Sequence, residues 1–284
     1  MSKRGKIALA IVGGVAAAIG LTVTIARITF ERRIAREVDA LLAASSPTAT
    51  RIIRESDLAI LPEPVQRWLR WSRIIGTPFP QTVRLTQDGQ FRLGPDRGWM
   101  PFTATEVFTT DPPGFLWQTE MQMFPGVTIV GRDRYANGVA SIEMRLLGLI
   151  PVANASGPDL NQGALLRYLN EIMWFPAAAL SPAIAWRDAG PDAATATLTH
   201  DGLSTEATFF FDAQGRPIDM RAMRFDLGSN ALQEWSTPLR AWGAFQGIHV
   251  PTEGTALWKY PTGDFTYIDL RVTGIGYESG VGSR

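Results

Sequence analysis

The pattern of apolar and polar positions divides the chain into an unbroken apolar start and a long alternating body. From Ile7 to Ala26 the sequence IALAIVGGVAAAIGLTVTIA carries no charge. That is the length a helix needs to cross a hydrocarbon core of roughly 30 Å. Lys3, Arg4 and Lys6 precede the run, and Arg27, Arg32, Arg33 and Arg36 follow it. A cleavable signal peptide is the competing reading of a basic start and an alanine-rich stretch. The run is long for a signal and Arg27 closes it abruptly, so an uncleaved anchor is expected. Beyond it, Ile34, Val38, Leu41 and Leu42 keep a helical stripe, with Arg33 and Glu37 one turn apart. This predicts a helical stalk, ended by Ser45-Ser46-Pro47. A second helix is predicted to start near Pro62 or Pro64 and to end at Gly76, with Val65, Trp68, Leu69 and Ile75 on one face. Arg67, Arg70 and Arg73 fall on another face beside Trp71, a row that suits lipid headgroups or, more plainly, solvent.

From Gln81 onward the apolar period becomes two, with turn signals at short intervals. Asp88-Gly89, Asn137-Gly138 and Asp201-Gly202 predict tight hairpin turns, because such turns need positive φ. Val83 with Leu85 and Phe91 with Leu93 flank the first. Further strands are predicted at 99–109, 114–123, 127–136, 139–148, 183–189, 193–200, 203–212, 216–227, 239–246, 253–261 and 264–277. In the 216–227 segment the apolar phase moves from Ile218, Met220 and Ala222 to Met223, Phe225 and Leu227, which predicts a bulge and a bend. Asp159 to Phe175 reads as a helix with Leu165, Leu166, Leu169, Ile172 and Met173 on its apolar side, stopped by Pro176. The expected fold class is α+β: a large curved antiparallel sheet, half-barrel-like, with two or three packing helices. A sheet this large must curl, split or close. Residues 1–45 are expected to form the anchor and stalk, and residues 46–284 a single α+β domain.

Charge alters this picture at one end. The whole chain balances 27 basic against 27 acidic side chains. Residues 1–36 hold seven of the basic ones and only Glu31 among the acidic, so the body is acidic by about six units. An acidic body argues against nucleic-acid binding. The absence of cysteine excludes disulfide scaffolds, thiolate metal sites, cysteine nucleophiles and lipoprotein acylation. His200 and His249 fall in separate segments, so a multi-histidine metal centre is not expected. A cysteine-free acidic body behind one anchor suits the inner (plasma) membrane with the body outside the cytoplasm, although the flanking basic counts do not fix the orientation. Ala10, Gly14 and Ala18 have the spacing that lets two membrane helices approach, which would give a weak homo-oligomer. An alanine-rich helix produces the same spacing without pairing. The excess of arginine over lysine, with abundant alanine, points to a GC-rich bacterial genome.

Catalytic signatures are missing. No nucleophile elbow, zinc-binding helix pair, P-loop, dinucleotide fingerprint or calcium loop occurs. Nothing calls for a cofactor or a metal, and no catalytic residue is assigned. Isolated carboxylates such as Glu171, Asp133, Glu120 and Asp188 are the only acid–base groups on offer, and spacing does not pair them. His249 and His200 are placed at strand edges or turns. The most concentrated signal is Arg167-Tyr168-Leu169-Asn170-Glu171-Ile172-Met173-Trp174-Phe175-Pro176. Arg167, Glu171 and Trp174 share one helix face, so a cation, a carboxylate and an indole lie together on a surface meant to pack on a sheet. Such a pair is costly unless satisfied. It either ties the helix to the sheet or orients a ligand's head group. Trp99, Phe102, Trp117, Trp186 and Trp258 recur along the strands and are candidates for an apolar lining able to hold an acyl chain. Large indoles are also ordinary core residues.

Taken together, Leu61-Pro62, Pro64-Val65, Trp68-Leu69 and Trp99-x-Pro101-Phe102 resemble the motifs of a family of uncharacterised bacterial membrane-anchored proteins. So do Arg167-Tyr168-Leu169-x-Glu171, Trp174-Phe175-Pro176, Trp186, Trp242, Gly247, Pro251 and Trp258. The resemblance covers nearly all of residues 50–278 and brings no known reaction. In fold alone, the strand–helix–strand order looks like the half-barrel of periplasmic lipoprotein carriers, which implies a curved sheet sheltering acyl chains under helices. The reading these features favour is a membrane-anchored, extracytoplasmic domain that binds a lipid or other hydrophobic ligand in a curved-sheet cavity. The partners expected are membrane lipid through residues 7–26 and that ligand. A cell-envelope scaffold without a ligand is the alternative, and an enzyme built on Glu171 ranks last.

Overall fold

A computed structural model describes residues 3–45 and 51–279. The apolar start and the stalk form one continuous helix, α1 (Lys3–Ala44). No proline or paired glycine-serine break interrupts it, and Thr22, Thr24 and Thr29 return their hydroxyls to carbonyls one turn back. The expected stop at Ser46-Pro47 lies outside the described residues. The N-terminal half of α1 stands clear of the rest of the protein, while its C-terminal half lies along the outside of the sheet. There Phe30, Ile34, Val38 and Leu41 pack on Leu116, Val130 and Ala136. Ion pairs flank this seam: Arg27 with Glu120 (2.5 Å), Arg33 with Glu143 (2.5 Å) and Arg132 with Glu37 (2.7 Å).

Two further α-helices occur among the described residues. The first, α2 (Glu63–Trp71), starts with a proline in its first turn and buries Pro64, Val65, Trp68 and Leu69. It stops earlier than the sequence predicts, because Arg73 and then Gly76 turn to positive φ. The second, α3 (Pro158–Glu171), is followed by two short 3₁₀ turns at Ile172–Trp174 and Pro176–Leu180.

The remainder is strand: β1 (Thr82–Phe91), β2 (Met100–Thr110), β3 (Pro113–Phe124), β4 (Val127–Ala136), β5 (Val139–Leu146) and β6 (Ile150–Ser156) precede α3. After it come β7 (Ile184–Asp188), β8 (Ala193–His200), β9 (Leu203–Phe211), β10 (Pro217–Asp226), β11 (Ala231–Ser236), β12 (Leu239–Phe245), β13 (Ile248–Tyr260) and β14 (Gly263–Glu278). They form one antiparallel sheet in the order β6-β5-β4-β3-β2-β1-β14-β13-β11-β10-β9-β8-β7, with β12 also pairing β13. The sheet curls into a half-barrel, and register shifts at Thr86/Gln87, Ala256/Leu257 and Pro217/Asp219 bend it.

Asn137-Gly138 and Asp201-Gly202 make the β4–β5 and β8–β9 turns, all four residues at positive φ. Asp88-Gly89 makes no turn. β1 runs straight through it, pairing Asp88 with Thr103 and Gly89 with Phe102. A Cβ on Gly89 would lie 2.9 Å from both Leu270 Cα and Phe102 Cε1, so glycine serves here for close approach of neighbouring strands. In β10 the irregularity sits at Ile218, ahead of the predicted shift, and Met223 and Leu227 are left exposed. Strands β6 and β11 were not expected. β6 is exposed along most of its length and β11 is buried only at Trp235 and Ser236, so neither displays a clean alternation.

The helix α3 crosses the concave face and is bonded to it from side to side. Asn161 Oδ1 accepts the Ala140 N–H (2.8 Å), Tyr168 donates to the Thr109 carbonyl (3.1 Å), and Asn170 Oδ1 accepts from Thr237 (2.9 Å). At one end the core fills with rings: Trp68 stacks on Phe209 and Phe211, and Phe108 packs on Phe115, Tyr168 and Phe175. Toward the other end the space between α3 and the sheet stays open.

Candidate functional site

The open part is a cavity of about 590 Å³. Its wall is apolar, built from Met121, Ile129, Ile142, Met144, Leu160 and Leu270 with others, and Trp117, Trp174, Trp235 and Trp258 add indoles. Strand alternation explains the lining: Trp117 and Met121 share a phase of β3, and Ile129 and Asp133 share one of β4.

A charged cluster sits at the floor of this cavity. The register places Glu106, Trp117 and Asp133 opposite one another on β2, β3 and β4. Arg167 reaches down from α3 into that row. Its guanidinium donates to Glu171 through Nε, to Asp133 through Nη1 and to Glu106 through Nη2, each at 2.8 Å. The same group lies over the rings of Phe115 (4.8 Å) and Trp117 (5.2 Å). Trp117 in turn donates its indole N–H to Gln87 (2.9 Å).

Three carboxylates around one arginine leave an excess of negative charge in a buried place. Burial pushes Glu106 well above the usual carboxylate range, and the neighbouring Glu171 pushes it the same way, against Arg167. Burial likewise raises Glu171 and Asp133, with Arg167 opposing in both. Burial alone would lower Arg167; Glu171, Glu106 and Asp133 more than offset it and hold the guanidinium charged. One oxygen of each carboxylate, Glu106 Oε2, Glu171 Oε2 and Asp133 Oδ1, is buried without a partner. Burial thus favours the protonated form at each of the three carboxylates, of which Glu171 and Asp133 line the cavity.

Arg224, on β10, is the other cation of the cavity. It lies between Trp235 (4.5 Å) and Trp258 (5.8 Å), beside Gly163 of α3, and makes no ion pair among the described residues. Its charge favours the ionised forms of Asp133 and Glu171 through space, against the effect of their burial.

The cavity thus brings together Arg167, Glu171, Trp174, Trp117 and Trp258 from the residues singled out by sequence. The other three lie elsewhere. Phe102 is buried behind the wall, edge-on to Trp117 at 6.1 Å. Trp99 is half exposed before β2 and carries Arg92 over its ring at 4.7 Å. Trp186 packs against Trp68 and Phe209 and donates to the Ala179 carbonyl (3.0 Å), on the far side of the core. Glu120 belongs to the outer face with Arg27, and Asp188 caps the Gly190 N–H in a turn. His200 meets the Tyr135 hydroxyl at 2.9 Å and His249 packs edge-on to Trp71. Arg67 and Arg70 are taken up by Asp192 and Glu55. Sequence reasoning passed over Glu106 and Arg224. The signal was there: each occupies an inward position of its strand, among Phe102, Ala104 and Phe108 for one and Met220 and Ala222 for the other. Among the described residues no group of three or more histidine, aspartate or glutamate side chains is placed so as to hold a metal ion.

Residues 51–270 match a family of unknown function, DUF6544. The chain belongs to that family. Among curated proteins there is no match to the sequence. Solved structures similar to this DUF6544 chain include a LolA superfamily protein from Nitrosomonas europaea. That protein is 8% identical, with 76% of this chain and 92% of that one covered and a TM-score of 0.38. A DUF1329 family protein from Desulfovibrio piger is 11% identical, over 77% of this chain and 93% of that one, with a TM-score of 0.37.

Proposed function

We propose that this DUF6544 protein is anchored in a membrane by residues 7–26 and holds a lipid or other hydrophobic ligand in the cavity of its half-barrel. The observation that carries the reading is the cavity itself, about 590 Å³ of largely apolar wall, a size within the range of small-molecule sites. Residues 1–45 serve as anchor and stalk, and residues 46–284 as one binding domain outside the cytoplasm, at the inner membrane. Acyl carbon lies against Met121, Ile129, Ile142 and Met144, where each buried methylene contributes about 0.8 kcal/mol. The head group is one that accepts hydrogen bonds, and Arg224 meets it. Arg167, already engaged by three carboxylates, positions Glu171 and Asp133 and keeps the floor charged.

Native mass spectrometry of the full chain, released from nanodiscs and followed by solvent extraction, tests this. A stoichiometric lipid adduct that Ile142→Glu abolishes, with the circular dichroism unchanged, is the expected result. A clean apo mass that ignores added lipids would overturn the reading and favour a scaffold without a ligand.

A second reading is motivated by one observation, the gathering of Glu106, Asp133 and Glu171 around the single Arg167 at the floor of the cavity. A carboxyl kept protonated near a hydrophobic ligand is the equipment of a general acid. The test is whether the extracted lipid is chemically altered after incubation with the protein and left intact by Glu171→Gln. Lipid recovered unchanged from both would remove the enzyme reading.

A further inference from the structure

The cavity mouth, the exposed apolar residues and the root of the membrane helix all lie at one end of the half-barrel. Register fixes which turns share that end. Phe91 faces Met100, Phe124 faces Val127, Leu146 faces Ile150, Asp226 faces Ala231 and Tyr260 faces Gly263. The β1–β2, β3–β4, β5–β6, β10–β11 and β13–β14 turns therefore form one rim. Large apolar side chains stand exposed on it: Leu93 (65%), Phe124 (64%), Leu227 (56%) and Ile150 (53%), with Val152 and Trp99 beside them. Leu93, Val152 and Leu227 also line the cavity, so this rim is its mouth. A soluble surface seldom gathers this many large apolar groups around an opening.

The helix α1 identifies what covers them. Its C-terminal end lies at the opposite rim, where Leu41 meets Gly114 and Ser45 donates to the Asp111 carbonyl. It runs along β3 toward the mouth, Phe30 and Ile34 on the wall. Arg27 is then bound to Glu120 and backs onto Gly148 of the β5–β6 turn, 2.9 Å from where a Cβ there would stand. Val23 and Thr24 pass Gly126 of the β3–β4 turn. Thus the uncharged run that ends at Ala26 leaves the domain at the mouth rim itself. The far rim is different: its turns carry Asp111, Asp192 and Asp212, and Arg67 of α2 is tied to Asp192 there.

We propose that the half-barrel sits mouth-down on the bilayer, its hairpin tips seated among the lipid headgroups and upper acyl chains, so that a ligand passes between cavity and membrane without crossing water. The surface is apolar at its tips and aromatic–cationic at one flank, where Arg92 lies over Trp99 and Phe265 (4.7 and 4.9 Å). That composition matches a membrane interface. The proposal rests on α1 crossing the membrane, and it concerns the route of the ligand rather than its presence.

The chain has no cysteine, so single labels can be placed without background. Phe124→Cys, Ile150→Cys and Leu227→Cys at the mouth, and Gln214→Cys at the far rim, carry an environment-sensitive fluorophore in the full chain reconstituted into phosphatidylcholine–phosphatidylglycerol vesicles. Flotation checks anchoring on the same samples, and native mass spectrometry checks retained lipid. The expected result is loss of iodide quenching, with gain of quenching by spin-labelled lipid, at the three mouth sites and not at Gln214. Vesicles that float the protein while all four sites are quenched equally by iodide would overturn the docking. If lipid is nonetheless retained, the binding reading stands without it. Protein that fails to float would overturn the docking together with the anchor. Shielded mouth sites with no retained lipid would support the docking and overturn the ligand.

Discussion

At the scale of single residues, the floor of the cavity is a balance between one arginine and three carboxylates. Removing the cation while leaving its partners buried is the severe change. Arg167→Met should lower the unfolding free energy by about 3–5 kcal/mol in denaturant titration, since it leaves uncompensated charge in the interior. Glu106 should show itself through pH. Its folded value is raised above the ordinary 4.5 by burial first, so the folded state favours the protonated acid. The stabilisation is complete below the ordinary value and is lost as pH rises through the raised one. The melting temperature is therefore expected to fall from mildly acidic toward alkaline pH, with Glu171 and Asp133, raised likewise, adding to the slope. Glu106→Gln should flatten it, and an unchanged slope in differential scanning calorimetry would remove Glu106 as its source. Half of this site was legible in the sequence. Arg167, Glu171 and Trp174 share a helix face by spacing alone, whereas Glu106 and Asp133 join them through register, which no local pattern states. Glu106 was nonetheless marked, as a charge standing in the apolar phase of β2.

At the scale of elements, alternation and turn chemistry carried most of the sheet. Asn137-Gly138 and Asp201-Gly202 turn because their backbones reach positive φ, the feature that makes the dipeptide a signal. Asp88-Gly89 has the same letters and none of the geometry. Its glycine is required by the neighbours it touches, a matter of tertiary contact that sequence does not display. Gly89→Ala should therefore destabilise by about 1–3 kcal/mol, the range for overpacking a filled interior. Thermal denaturation reads this out, and a neutral result would mean that the strands part easily. The strands β6 and β11 are not legible for the opposite reason: β6 buries too little to alternate, and the burial of β11 rises toward Trp235 and Ser236 at one end without alternating.

At the scale of the whole molecule, the long helix α1 and the sheet are mechanically one piece. The helix α1 has forty-two residues without a break, about 63 Å at the usual rise, and its second half is fastened by apolar packing and ion pairs on the outer wall. Spin labels at Val15 and Val139 should therefore give a single narrow distance by pulsed electron resonance, whereas a loose stalk would give a broad one. With residues 7–26 in a bilayer, the fastened helix acts as a post and not as a leash. The mouth is held at one height and one attitude, and the protein has no reach beyond its own diameter. A molecule lodged in it is carried sideways by diffusion in the plane of the membrane, so whatever receives that molecule must itself come to the same surface.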